Sequence, residues 1–95
     1  MRIKVKYMAV AREITGSREE TIETKDSCTV MALLGMLSQK YGGRMRDYLF
    51  DPATGRPHSH LQFLLDGSPI ELGEGFETAI PDESTLVIIP PVSGG

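Results

Sequence analysis

Thr85-Leu86-Val87-Ile88-Ile89, closed by Pro90-Pro91, is the stretch on which the fold turns. Leu86 aside, every residue of the run is β-branched, and no polar alternation interrupts it. A strand of that kind is covered on both faces, which places it inside a sheet rather than at an edge. Pro90 and Pro91 have no backbone N–H to give to a ladder, so the strand stops there. A neighbour is offered by the far end of the chain, where residues 2 to 8 put Ile3, Val5 and Tyr7 on one face and Lys4, Lys6 and Met8 on the other. Residues 19 to 24 return as a second strand, anchored by Ile22, after a connection through Arg12-Glu13 and Gly16-Ser17.

Between these ends lies one helix. Val30, Leu33, Leu34, Leu37 and Tyr41 recur at helical spacing, Thr29 offers a capping hydroxyl ahead of them, and Gly42-Gly43 closes the run. Residues 44 to 60 are irregular: Met45, Tyr48, Leu49 and Phe50 suit a short second helical turn, and Asp51 to Pro57 is turn chemistry throughout. A connection this long in a small domain is expected either to move or to meet a partner. Leu61 to Leu65 reads as a buried strand that turns at Asp66-Gly67, and Pro69 to Leu72 continues it into a glycine-rich stretch at Gly73 and Gly75. Pro81-Asp82-Glu83 makes the last turn. A hairpin, a crossover helix and further strands describe an α+β domain of the β-grasp kind, a mixed sheet packed on one main helix, over residues 1–91. Its first and last strands lie parallel at the centre.

At 95 residues the chain holds one core, too shallow for a deep catalytic pocket. A net charge of -3, with both signs interspersed, argues against nucleic acid as a partner. Arg2, Lys4 and Lys6 form only a small basic stripe, either a solvated face or a contact for an acidic patch. No apolar run is long enough to span a membrane and no secretory leader is legible at the N-terminus, so a cytoplasmic protein is expected. Cys28 is the only cysteine, which excludes an internal disulfide and a multi-thiolate metal site. It stands just ahead of the helix, where it is either inert packing or a thiol activated by the helix terminus.

Chemistry concentrates at the C-terminus. Val92-Ser93-Gly94-Gly95 follows the double proline and cannot readily rejoin the ladder, so residues 92–95 are expected to form a flexible tail reaching roughly 15 Å from the domain. Glycine has no Cβ, so Gly94 and Gly95 can thread a narrow channel and bring a terminal carboxylate to a reactive group unobstructed. If Leu86 and Ile88 face the helix, Val87 and Ile89 join Met8 on the opposite sheet face. Apolar residues grouped there read either as a protein contact or as a surface covered by the long connection. His58 and His60, two apart without a third ligand, make a poor metal site. Arg12 and Glu13 either position the tail or form a surface pair, and Asp82 and Glu83 serve a turn. No nucleophile–base constellation and no phosphate-binding glycine loop can be assembled.

The two ends of the chain resemble the MoaD/ThiS family of ubiquitin-like sulfur carriers, and within it the small subunit of molybdopterin synthase. Val5 to Gly16 is similar to the family's opening strand with its Arg-Glu and Gly signature, and Leu72-Gly73 through Pro81-Asp82-Glu83 to Pro90-Pro91-Val92-Ser93-Gly94-Gly95 is similar to its close. Residues 42–60 are longer than the usual family connection, and Met8 and Ile89 stand where aromatic residues are common. The resemblance implies that an E1-like adenylyltransferase uses ATP to adenylate Gly95, with Gly94 as clearance beside it. A sulfur donor then converts the adenylate to a thiocarboxylate, consumed by the large subunit of molybdopterin synthase in a heterotetramer to build the pterin dithiolene. Pro90, Pro91, Val92, Ser93 and Arg12, with the apolar face, would meet the partners. No cofactor is implied as permanently bound. A carrier for another pathway such as thiamine, or a covalent protein modifier, would share the tail chemistry. A non-covalent β-grasp binding module would not need it.

Overall fold

The computed structural model describes residues 1–71 and 74–91, and for Glu74 the backbone alone. Five strands, β1 (Arg2–Lys6), β2 (Glu19–Glu23), β3 (Gln62–Leu65), β4 (Ser68–Pro69) and β5 (Ser84–Ile89), form one sheet in the order β2-β1-β5-β3-β4. β1 and β5 are parallel; every other pairing is antiparallel. The continuous apolar run therefore sits where its composition placed it, at the middle of the sheet. Ile3 and Val5 of β1, Phe63 of β3, and Leu86 and Ile88 of β5 turn one face inward and are 0–1% exposed. Burying each such side chain stabilises the fold by about 1.5–3 kcal/mol.

That face is covered by α2 (Val30–Tyr41), whose Val30, Leu33, Leu34 and Leu37 are buried. The Thr29 hydroxyl accepts from the Ala32 N–H at 3.1 Å, satisfying one of the amides that a helix start leaves open. Gly42 ends the helix with φ 85°, a conformation that costs a residue bearing Cβ, while its N–H donates to Ser38 O at 2.8 Å. Asp66 and Gly67 both take positive φ, 50° and 87°, as a two-residue hairpin turn requires. The Asp66 carboxylate then reaches across to β5, accepting from the Ser84 hydroxyl and the Thr85 N–H, each at 2.9 Å. Ser84 is the buried polar side chain at that strand's start.

Several local expectations are corrected. The connection between the first two strands is a helix, α1 (Ala9–Thr15), because Ala11 is fully buried and Ile14 packs on the core. β1 accordingly ends at Lys6, and Met8 serves as the N-cap of α1. Within residues 44–60 the expected short helical turn is present as a helix, and only the irregular character of the remainder is corrected. α3 (Gly43–Leu49) buries Met45 and Leu49, one turn apart, and the chain after it closes on itself through the Phe50–Pro57 bridge. This segment thus enlarges the core against α2. β4 stops at Pro69, short of the expected strand, while Leu72 and Gly73 lie outside the described residues. A short 3₁₀ turn at Glu74–Glu77 carries Phe76 under the sheet, edge-on to Phe63 with ring centroids 5.5 Å apart.

Two polar features of the interior give predictions. The Tyr48 hydroxyl is buried with no hydrogen-bond partner among the described residues, and burial raises its pKa. An unmet hydroxyl contributes cost rather than stability, so Tyr48→Phe should leave the denaturant midpoint unchanged or raise stability by about 1 kcal/mol. Urea titration measures this.

Glu20 on β2, by contrast, is heavily satisfied. Its Oε1 accepts from the hydroxyls of Tyr7 and Tyr41, the latter at 2.6 Å, and its Oε2 from Lys40 Nζ at 2.6 Å. Partial burial alone would raise its pKa, but the hydrogen bonds from Lys40, Tyr41 and Tyr7 together outweigh it, and the pKa is lowered. A carboxylate whose folded pKa lies below its unfolded one adds stability above the unfolded pKa, near 4.3, and that contribution is lost as pH falls through the folded value. Glu20→Gln is expected to cost about 1–2 kcal/mol at neutral pH. Denaturation at acidic pH should show the gap between variant and parent closing.

Candidate functional site

Because β1 and β5 run parallel, their C-terminal ends share one end of the sheet. β3 starts at the same end, with Gln62 opposite Ile89. Pro90 and Pro91 consequently leave the domain between the turn into α1 and the segment that leads into β3. Pro90 is half-buried and Pro91 exposed. The tail, Val92, Ser93, Gly94 and Gly95, lies outside the described residues.

Around that exit the structure groups several residues singled out in the sequence. Met8 is 44% exposed at the head of α1 and Val10, two residues on, 40% exposed. Arg12 lies exposed on the same helix and forms no ion pair with Glu13 or any other described residue, so the surface-pair alternative is not realised. On the sheet face away from α2, Val87 and Ile89 are half-buried, as the alternation required. Leu64 on β3 pairs with Val87 and is half-buried beside it. It extends the apolar strip and was not legible as part of it, since Leu61-Gln62-Phe63-Leu64-Leu65 shows no clear alternation. The only signal was that Phe63, once inward, forces Leu64 outward.

The strip has a polar border. Lys6 lies opposite Val87, and toward the other end of β1 come Lys4, paired with Glu19 at 3.3 Å, and Arg2, with Glu83 at 3.7 Å. Asp82 caps that end, its Oδ1 accepting from the amides of Arg2 and Glu83; these bonds, the Arg2 one foremost, lower its pKa. Asp82 and Glu83 therefore hold a turn, remote from the tail exit.

Side-chain chemistry near the exit is sparse. His58 and His60 stack at 4.7 Å between centroids, and His58 Nε2 lies 2.9 Å from Asp47 O. No group of three or more His, Cys, Asp or Glu suited to a metal ion occurs among the described residues. Cys28 is half-buried and burial pushes its thiol pKa up, away from the reactive thiolate. Its backbone accepts from Ile80 N–H at 2.9 Å, a structural contact. What this arrangement presents is an apolar strip with a basic margin, beside which Pro90-Pro91 follow the central strand.

A five-stranded mixed sheet over a main helix, with the first and last strands parallel at its centre, defines a ubiquitin-like β-grasp domain. The sequence pattern of the ThiS family matches residues 5–95, and the chain belongs to that family. It is 27% identical to small archaeal modifier protein 3 of Haloferax volcanii over the full length of both. It is equally similar, 27% identical over the full length of both, to the sulfur carrier protein CysO of Mycobacterium tuberculosis. Among solved structures, small archaeal modifier protein 1 of Methanosarcina acetivorans is 30% identical, with a TM-score of 0.79 over 99% of this chain and 96% of that one. Two further likenesses carry the fold alone. A protein described as a possible molybdopterin converting factor subunit 1 from Pyrococcus furiosus gives a TM-score of 0.75 at 20% identity, covering 97% of this chain and 99% of that one. The Amycolatopsis orientalis BexX/CysO complex gives 0.73 at 21% identity, covering 98% and 99%. Among the described residues no helix is long and apolar enough to cross a membrane.

Proposed function

We propose that the chain is a cytoplasmic sulfur carrier acting through the Gly95 carboxylate, as the small subunit of molybdopterin synthase. An E1-like enzyme would join that carboxylate to the α-phosphate of ATP, releasing pyrophosphate and leaving an acyl adenylate. Sulfide released by a sulfur donor then attacks the acyl carbon, AMP departs, and Gly95 carries a thiocarboxylate. The domain supplies no catalytic side chain; Gly94 leaves room beside the reacting carbon. The large subunit would dock on Val87, Ile89, Met8 and the Pro90-Pro91 exit, with Arg12 at its margin and Val92-Ser93 entering its site. The observation that carries this reading is the ThiS-family match continuing through residue 95, beyond a central strand that Pro90-Pro91 brings to a halt.

A second reading is favoured by the relatives named as modifiers. In it the same Gly95 adenylate is captured by a target lysine as an amide, with no sulfur transferred to a pterin. Intact mass after incubation with the E1-like enzyme, ATP and sulfide tests the shared step: exchange of one terminal oxygen for sulfur supports it. Conversion of a pterin precursor upon adding the large subunit separates the readings, whereas a Gly-Gly remnant on lysines of cell proteins points to the modifier. Val87→Asp should weaken binding to the activating enzyme or large subunit by roughly tenfold or more, with unchanged circular dichroism. Calorimetry of the pair measures it.

A further inference from the structure

Charge is segregated along the strand direction. At the end where β1 and β5 finish, Lys6, Arg12, Arg18 and Arg44 are exposed and form no ion pair among the described residues. The fold brings them to that end by separate routes. Lys6 closes β1 opposite Val87, and Arg12 lies on α1, which follows directly. Arg18 O accepts the Tyr7 N–H at 2.8 Å, so Arg18 stands beside the end of β1. Arg44 lies in the first turn of α3, which packs against α1 and follows Tyr41, whose hydroxyl shares Glu20 with that of Tyr7. Carboxylates in this region are mostly matched: Glu19 by Lys4 at 3.3 Å, Glu20 by Lys40 at 2.6 Å and Asp47 by Arg46 at 3.9 Å. Glu13 is left over, Glu71 stands exposed across the apolar strip just past β4, and the terminal carboxylate of Gly95 adds one negative charge. At the far end the balance reverses. Glu23, Asp26, Asp66, Asp82 and Glu83 gather where β2 and β3 finish and β5 begins, against Arg2 and Lys25. A chain of net charge -3 is thus a dipole whose positive end is the one where the central strand gives way to Pro90-Pro91.

We propose that the protein surface receiving the tail is bordered by carboxylates, and that the charge polarity of this domain turns it tail-end first during the encounter. The proposal rests on the carrier reading and adds the chemistry of the partner's surface. Four solvated cations contribute little to affinity one by one, since exposed pairs are weak and screened. Their summed field acts at longer range: it draws the basic end toward an acidic border while the same border repels the acidic end. The apolar strip decides which kind of partner fits. Met8, Leu64, Val87 and Ile89 adjoin Lys6 and Arg12, an apolar centre with a charged rim, as protein interfaces have. Nucleic acid would leave that strip unused. A second copy, approaching with its acidic end, would bring matching charge without a matching surface, because the large exposed apolar side chains of the described residues are Met8, Val10 and Met36, none of them at that end.

The test is the association rate of the full chain with the E1-like enzyme, followed by stopped flow as salt rises from about 0.01 to about 0.15 M, which shortens the screening length from about 30 to about 8 Å. The rate should fall about tenfold or more over that range. A variant combining Lys6→Gln, Arg12→Gln, Arg18→Gln and Arg44→Gln should associate about tenfold more slowly at low salt, lose most of the salt dependence and keep nearly the parent's dissociation rate. None of the four pairs with a described carboxylate, so its melting curve should match the parent's; if it does not, the pairs Lys6/Arg12 and Arg18/Arg44 are neutralised separately, each costing about threefold. Arg2→Gln with Lys25→Gln, at the acidic end, should associate no more slowly than the parent. An equal loss per charge in that control would overturn the proposal, since net charge rather than polarity would then govern the encounter. So would an association rate indifferent to salt while thiocarboxylate still forms, self-association at low salt, or binding of a short duplex DNA that the fourfold variant loses. Absence of both complex and thiocarboxylate would instead remove the carrier reading, and this surface with it.

Discussion

Removal of Gly94-Gly95 is expected to abolish thiocarboxylate formation while leaving thermal unfolding unchanged. The two halves of that result have separate physical grounds. Among the described residues every buried side chain of the core, and every strand of the sheet, lies at or before Ile89, so the packed interior described above is expected to survive the deletion. In the proposed mechanism the reacting carbon belongs to Gly95, and the shortened chain, ending in Ser93, would bring a side chain and a shorter reach to the activating site. Mass spectrometry after incubation with the E1-like enzyme, ATP and sulfide reads the first half, and a melting curve reads the second. Full activity of the truncated chain in pterin conversion would sink both carrier readings and leave a non-covalent binding domain.

Phe63→Ala should produce the largest loss of stability of any single substitution considered, about 3–5 kcal/mol. Phe63 is 1% exposed, sits on the strand next to β5, and packs edge-on against Phe76 from the 3₁₀ turn. Truncation leaves a cavity between β3 and the 3₁₀ turn. A domain of this size has a total stability of roughly 5–14 kcal/mol, so the loss would be a large fraction of it. Urea unfolding measures the change, and a cost below about 1 kcal/mol would mean that the sheet and the 3₁₀ turn are not packed as described. Because Gln62 at the head of the same strand lies opposite Ile89, the variant should also loosen the base of the tail.

The parts of the fold legible in the sequence are those where one physical rule dominated. The unalternating run at residues 85–89 had to be central, the stripe from Val30 to Tyr41 had to be a helix capped by Thr29, and Asp66-Gly67 had to be a tight turn; each is so. α1 escaped notice because seven residues bury only Ala11 fully, leaving no apolar stripe to detect, and Val10 points out. In residues 44–60 Met45 and Leu49 did announce a short helical turn, but turn residues from Asp51 onward masked how the segment folds back through the Phe50–Pro57 bridge. At the site, alternation identified Val87 and Ile89 but could not orient Leu64, since its neighbours are apolar in either register. Met8 was read as a strand residue, whereas the strand had already yielded to a helix start. The chemistry read from Gly94-Gly95 falls on residues outside those the structure describes.

The adjacency of the first and last strands also has a mechanical meaning. A partner that grips the chain at its C-terminus while the N-terminus is held pulls β5 along β1 rather than peeling it away. In that shearing geometry the parallel hydrogen bonds from Ile3–Ser84 to Lys6–Val87 bear load together instead of failing one at a time. The resistance to such a pull is set by the unfolding rate, not by the free energy of the fold. Under the proposed carrier function, a partner that pulls on the C-terminal side of β5 while the N-terminus is held would therefore load this pair in shear.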